Sequence, residues 1–212
     1  MKGYLQSLPV VGKIFLDVKP EEVWAFWRFM QDHFRTSVIN KSSALEMQLV
    51  ARGLEALGVQ SKERFLKNFT TTIGRRIYTP FEVGSPRGGW DLWHQVVICV
   101  HEHQHVVQHD REGLAYEVSY LADRAARARW EAEAYRSNLE LQFWRTGTTP
   151  SAQRTASVLK DYGCRDGDIE VTAKSLALSA LSVKKGAVIN EATHVALGWL
   201  DEHVPRLRFK QG

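Results

Sequence analysis

The chain has 212 residues, of which 44% are hydrophobic and 25% charged, a composition typical of a soluble globular protein. Its two cysteines are too few for a disulfide framework, and it contains no run of about 18 apolar residues that would predict a membrane span. The net charge of +4 is spread along the chain among acidic residues, which argues against a nucleic-acid partner.

The N-terminal third is predicted to be mainly helical. Residues 13–18 predict one short strand, after which Pro20 begins a helix. Glu21 and Glu22 lie in the first turn of this helix, where the helix dipole favours acids. Two more helices are predicted over residues 41–57 and 61–68.

From Thr70 the composition changes to β-branched and aromatic residues. Residues 70–73, 76–79 and 81–83 predict one or two strands, which Gly74 and Pro80 interrupt. A turn rich in glycine and proline follows at residues 84–89. This segment predicts a small sheet ahead of the next helix.

Helices are predicted for the rest of the chain. Asp91 is expected to cap a helix with an apolar stripe, and residues 110–113 break the helical pattern. Residues 114–144 are strongly helical in propensity, although so long a segment can consist of two pieces. Three further helices fit residues 151–162, 169–183 and 190–204. The predicted fold class is α+β and predominantly α-helical.

The sequence His-Glu-x-x-His, formed by His101, Glu102 and His105, lies within this predicted helix. Positions i and i+4 project from one helix face, so the two imidazoles can converge on one ion. Glu102 lies beside them, where it can accept a proton from water. The pattern therefore predicts a metal site with a general base. His103 points away from this face and is expected to be exposed or to support the ligands from behind.

Two histidines are too few for a catalytic zinc ion, which commonly has three protein ligands. Glu131 and Glu133, on the following predicted helix, are candidates for the third. A straight helix returning from Gly113 would carry Glu131 roughly 27 Å past the turn, whereas His105 lies only about 12 Å before it. Either an interruption precedes Glu131, or a nearer residue such as Glu117 is the ligand. His109 lies too far along the helix and is expected to be a polar residue at its end.

The motif followed 26 residues later by Glu131-x-x-Ala134 resembles the gluzincin branch of zinc metallopeptidases, over residues 101–135. The resemblance implies a zincin-like fold, a Zn²⁺ cofactor and ligation by Glu131, with Glu133 and then Glu117 as alternatives. In that family an acid or amide commonly stands where this chain has Tyr135. The tyrosine hydroxyl is expected to support a zinc histidine instead.

The predicted chemistry is hydrolysis of an amide bond by a zinc-activated water, with Glu102 as the general base. Tyr116, Tyr120 and His194 are candidate donors to the developing oxyanion. Residues 76–83, just before the motif helix, are a candidate edge strand against which an extended substrate could lie.

We therefore expect a zinc metallopeptidase acting on a peptide, protein or peptidoglycan-type amide. The alternative is a non-catalytic metal-binding or structural protein with a peptidase-like fold, which would bind a protein partner as a component of a larger assembly. A single domain is expected, with a helical N-terminal part (1–69), a metal-site core (70–145) and a helical C-terminal part (146–212). Because no signal peptide is visible, a cytoplasmic location is expected, with packaging into a particle or unconventional export left open.

Overall fold

The computed structural model of the protein describes residues 17–45, 47–48, 52 and 62–210. Helices and strands follow one another as α1 (Pro20–Phe34), β1 (Ser37–Asn40), α2 (Lys62–Asn68), β2 (Thr71–Ile73), β3 (Arg76–Thr79), α3 (Leu92–Glu112), α4 (Leu114–Ala122), α5 (Arg124–Thr146), α6 (Ala152–Ser157), α7 (Asp166–Lys184) and α8 (Glu191–His203). Short 3₁₀ turns occur at Lys41–Ser43, Val158–Tyr162 and Pro205–Leu207. Residues 13–16 of the predicted strand over 13–18 and most of the predicted helix over 41–57 lie outside the described residues, and residues 17 and 18 are not in a strand.

The sheet has three strands in the order β1-β3-β2. β1 is parallel to β3, and β2 is antiparallel to it. β1 was not predicted from the sequence, and residues 81–83 are not a strand. The suggestion that residues 76–83 form an edge strand is wrong, because β3 is central and is hydrogen-bonded on both sides. Among the described strands, the two edges belong to β1 and β2.

The motif helix α3 lies at the centre of the protein. The predicted cap is confirmed, since Asp91 accepts a hydrogen bond from the His94 backbone N–H at 2.8 Å. α3 packs against α1, α5 and α8, and it contributes Trp93, Val96, Val100 and Val106 to the main hydrophobic core. Because neighbours surround it, polar residues of the motif are buried as deeply as the apolar ones.

The predicted break between α3 and the glutamate helix consists of two turns with a short helix between them. Gly113 ends α3 with φ +60°, a backbone conformation that favours glycine. α4 then runs for nine residues, and Asp123 caps α5 by accepting from the Ala125 N–H at 2.9 Å. Residues 114–144 therefore form two helices, as the length of the segment suggested. Glu131 and His105 each lie eight residues, or about 12 Å, from these helix ends, so the overshoot of a straight hairpin does not arise.

The last three predicted helices are confirmed as α6 with its following 3₁₀ turn, α7 and α8. α7 packs on α5 and α6 around a second core that includes Leu139, Leu159 and Leu176. The predominantly helical α+β class is confirmed. Both cysteines are free and buried. Within the described ranges, none of the helices combines the length and apolarity needed to span a membrane.

Candidate metal centre

Three potential metal ligands meet between α3 and α5. Nε2 of His101 lies 3.5 Å from Oε2 of Glu131, and Nε2 of His105 lies 3.6 Å from Oε1 of the same carboxylate. The side chains are buried, with 3%, 5% and 1% of each residue exposed, respectively, for His101, His105 and Glu131. Glu131, which the sequence prediction ranked first as a third ligand, is the glutamate that reaches the two histidines.

The spacing of these atoms fits a small divalent cation. Ligands at about 2.1 Å in a tetrahedral arrangement lie about 3.4 Å apart, close to both distances between histidine and carboxylate. The three ligand atoms all lie within 4.8 Å of one another, and no other such group of potential ligands occurs among the described residues. Glu131 Oε2 is buried without a hydrogen-bond partner of its own. A bound cation would satisfy this oxygen, so the residues present fit a metal ion.

The outer nitrogens of both histidines contact side-chain oxygens. His101 Nδ1 lies 3.3 Å from Asn138 Oδ1, and His105 Nδ1 lies 2.8 Å from Gln108 Oε1. Amide oxygens only accept, so the proton is assigned to each Nδ1, and the lone pair of each Nε2 is directed to the centre.

Asn138 and Gln108 were not predicted as site residues from the sequence. The helical repeat could have indicated Asn138, because it lies seven residues after Glu131 and therefore on the same face of α5. Tyr135, predicted to support a histidine through its hydroxyl, packs its ring edge-on against the His101 ring, with centroids 4.8 Å apart. The side-chain amide that contacts Nδ1 of His101 belongs to Asn138.

The charges of the ligands stabilise one another. Burial by itself raises the pKa of Glu131, but the charges of His105 and His101 more than compensate, and the net pKa is lowered. Burial likewise disfavours the charged form of His101, yet the contact with Glu131 raises its pKa overall. The carboxylate is thus held in the anionic form that a cation requires.

Tyr116 and Tyr120 reach the centre from α4. The Tyr120 hydroxyl donates to Glu131 Oε1 at 2.5 Å, and the Tyr116 hydroxyl lies 3.0 Å from His105 Nδ1. Burial, reinforced by the charge of Glu131, raises the pKa of both phenols, so both remain protonated. These hydroxyls contact the side chains of the candidate metal ligands, and their role as donors to an oxyanion stays a prediction. His194, the third candidate, is exposed on α8.

Glu102 follows the first ligand and is held by the sheet. The Thr72 hydroxyl on β2 donates to Glu102 Oε2 at 2.7 Å, and Glu102 is 5% exposed. Lys41 lies fully buried nearby and donates to the Phe69 carbonyl at 2.8 Å. Burial lowers the pKa of Lys41 to about 7, although the charge of Glu102 opposes this shift. Sequence alone gave no indication of either Thr72 or Lys41.

The two alternative glutamates have other partners. Glu133 accepts from Gln104 at 2.9 Å and forms an ion pair with Arg111 at 3.1 Å. Glu117 Oε1 lies 2.5 Å from His109 Nδ1. Glu117 therefore pairs with the histidine that follows the motif, and neither glutamate belongs to the metal-ligand group.

His103 occupies the opposite face of α3. It is completely buried, contacts the Cys99 carbonyl and the Thr36 hydroxyl, and packs against Trp27 and Phe34. Burial lowers its pKa to about 4. The expectation that it supports the ligands or is exposed is wrong, because the α1 side of α3 is core.

Comparisons of this chain with models of protein families, with curated proteins and with solved structures found no match. The class that the fold and the site define is a predominantly helical α+β protein with a buried His-His-Glu group able to hold a metal ion.

Proposed function

We propose that the protein is a zinc-dependent metallopeptidase of the gluzincin type, with a zincin-like fold. The observation that carries this proposal is the convergence of His101, His105 and Glu131 beside Glu102. Two nitrogens and one carboxylate oxygen form a donor set that suits zinc. The order of these residues along two helices matches the resemblance described for residues 101–135.

The three ligands would hold the ion, which would supply Lewis-acid activation of a water molecule and of the substrate carbonyl. Glu102 accepts the proton of the attacking water and delivers it to the leaving amine. Because the Thr72 hydroxyl binds Glu102 Oε2, we assign this proton transfer to Oε1. Asn138 and Gln108 keep both imidazoles oriented while charge changes at the centre.

The substrate surface in this proposal is the edge strand β2. Thr72 on β2 contacts the general base, so an extended chain hydrogen-bonded along this strand would lie next to Glu102. Ile73, 45% exposed, adds an apolar contact on the same strand. This mode of binding suits the amide bond of a peptide, a protein or a peptidoglycan-type cross-link.

A second candidate is a structural metal site without turnover, in a protein that serves as part of a larger assembly. The observation that favours it is the burial of all three ligands, with Tyr120 bonded to Glu131 and Tyr116 beside His105. Structural zinc sites are closed in this way, whereas catalytic sites keep one position open.

The test is elemental analysis of the purified protein, followed by assays of Glu102→Gln against a peptide library and peptidoglycan fragments. The proposal expects about one zinc per chain in both proteins, with cleavage by wild type that falls by at least about 100-fold in the variant. Glu112→Gln, on the same helix but exposed, is the matched control and should retain activity. Zinc without any cleavage would favour the structural site, and a Glu102→Gln variant with full activity would rule out the mechanism.

A further inference from the structure

The outer face of α7 carries apolar side chains that the metal centre does not use. Val171, Leu178 and Leu181 are 67%, 67% and 59% exposed, whereas Leu176 on the inner face is fully buried. Together with exposed Lys174 they follow one another at intervals of three, four and three residues. This is the 3.5-residue period by which one helix packs along another. We call these four residues the α7 seam.

We propose that the α7 seam pairs with the α7 seam of a second copy of this chain, in antiparallel orientation. The charges at the two ends of α7 indicate that the partner is a second copy of this helix. Acidic residues predominate at the start of α7, where Asp166, Asp168 and Glu170 outnumber Arg165, and basic residues stand at its end, at Lys184 and Lys185. In an antiparallel pair related by a twofold axis, each acidic end lies beside the basic end of the other copy, whereas a parallel pair would bring like charges together.

One register satisfies both the apolar and the charged residues. Placing Val171 opposite Leu181 of the second copy places Lys174 opposite Leu178 and Asp168 opposite Lys184, by the same twofold symmetry. Lys174 forms an ion pair with Glu170 at 2.8 Å on the surface of the helix. Its aliphatic stem can therefore pack in the seam while its ammonium group stays in solvent. A single polar residue in a seam fixes the register and lowers the stability of the pair.

The size of the face indicates a reversible dimer. The three apolar residues of the seam expose roughly 300 Å², the lower end of the range for the largest apolar patch on a monomer, which is often functional. The flanking acids and lysines enlarge the contact, but it stays below the about 800 Å² per partner of a standard interface. We therefore expect association that depends on protein concentration. This inference does not rest on the metal centre.

Sedimentation velocity of the full chain between roughly 1 and 200 µM tests the proposal, since small interfaces dissociate in this range. The wild type should shift from monomer to dimer, and Leu178→Asp should stay monomeric with an unchanged circular dichroism spectrum. Val118→Asp is the matched control, because Val118 on α4 is 65% exposed and apolar but lies outside the seam. A wild type that is monomeric throughout, a dimer that survives Leu178→Asp, or equal loss in Val118→Asp would overturn the proposal.

The orientation is tested by reversing charges. Asp166→Lys combined with Asp168→Lys should weaken the dimer by at least about tenfold, because lysines then face lysines. Adding Lys184→Glu and Lys185→Glu to the same chain should restore the wild-type dissociation constant within about threefold, since opposite charges meet again. A quadruple variant that stays as weak as the double variant would refute the antiparallel pair.

Discussion

Asn138 offers a direct test of the metal centre, because its contribution acts only through His101. Its Oδ1 lies 3.3 Å from His101 Nδ1, on the side of the ring opposite Glu131. Asn138→Leu keeps the volume of the side chain but removes the acceptor. We expect the variant to fold normally and to bind zinc more weakly.

The size of this effect follows from the geometry. Hydrogen bonds to metal-binding histidines contribute about 10–100-fold to affinity. At 3.3 Å the bond is long, so we expect the lower end, about tenfold or 1.4 kcal/mol. With free zinc at 100 times the wild-type Kd, the wild type gains about 2.7 kcal/mol and the variant about 1.4 kcal/mol. Each kcal/mol raises the Tm of a chain this long by about 2–4 °C, so zinc should raise the wild-type Tm by about 5–11 °C and the variant Tm by about half as much.

The assay is thermal unfolding of metal-free protein with and without zinc, together with a chelator competition that gives the Kd. Comparing the zinc-dependent shift within each protein removes any effect of the substitution on the fold itself. Asn138→Asp, which keeps an acceptor, is the control and should retain the wild-type shift or exceed it. An equal zinc-dependent shift in wild type and Asn138→Leu would refute the role of Asn138. No shift in the wild type would refute the metal centre.

Three more expectations test other parts of the protein. Thr72→Val removes the 2.7 Å hydrogen bond to Glu102 and should lower kcat by about 10–100-fold without changing zinc affinity, whereas Thr72→Ser should keep the rate. Because burial lowers the pKa of Lys41 to about 7, the unfolded chain binds more protons than the folded protein between pH 7 and about 10. The free energy of unfolding should therefore rise with pH across that window by up to about 5 kcal/mol. Urea titrations should find this rise absent in Lys41→Met, and an equal rise in that variant would contradict the role of Lys41. Leu139→Ala in the fully buried second core should cost about 2–5 kcal/mol in urea unfolding, against about 0.5 kcal/mol or less for Leu114→Ala at an exposed position.

The sequence alone predicted the elements whose signals are local. The motif helix, its Asp91 cap and the helices of the C-terminal third depend on periodicity and capping, which short stretches of chain determine. The pairing of His101 with His105 needed only the helical repeat. The short strand β1 was not predicted, because the pattern of its four residues is too short to be recognised.

The tertiary structure decided which side chains from other helices and strands contact the candidate metal-binding histidines. Glu131 was ranked first among three glutamates, but it reaches the histidines because α4 separates α3 from α5 with a turn at each end. Glu133 pairs with Arg111 and Glu117 pairs with His109, so neither of these glutamates belongs to the candidate site.

The roles of the tyrosines and of Thr72 also depend on contacts between distant segments. Tyr116 and Tyr120 were expected to donate to a developing oxyanion, and the packing of α4 places their hydroxyls beside His105 and Glu131. Thr72 reaches Glu102 from 30 residues earlier in the chain. A helical period gives the face on which a residue lies, but the partner opposite that face is set by packing. The sequence thus determined a candidate pair of metal-binding histidines with an adjacent base, and the packing of α3, α4, α5 and β2 decided what completes and encloses them.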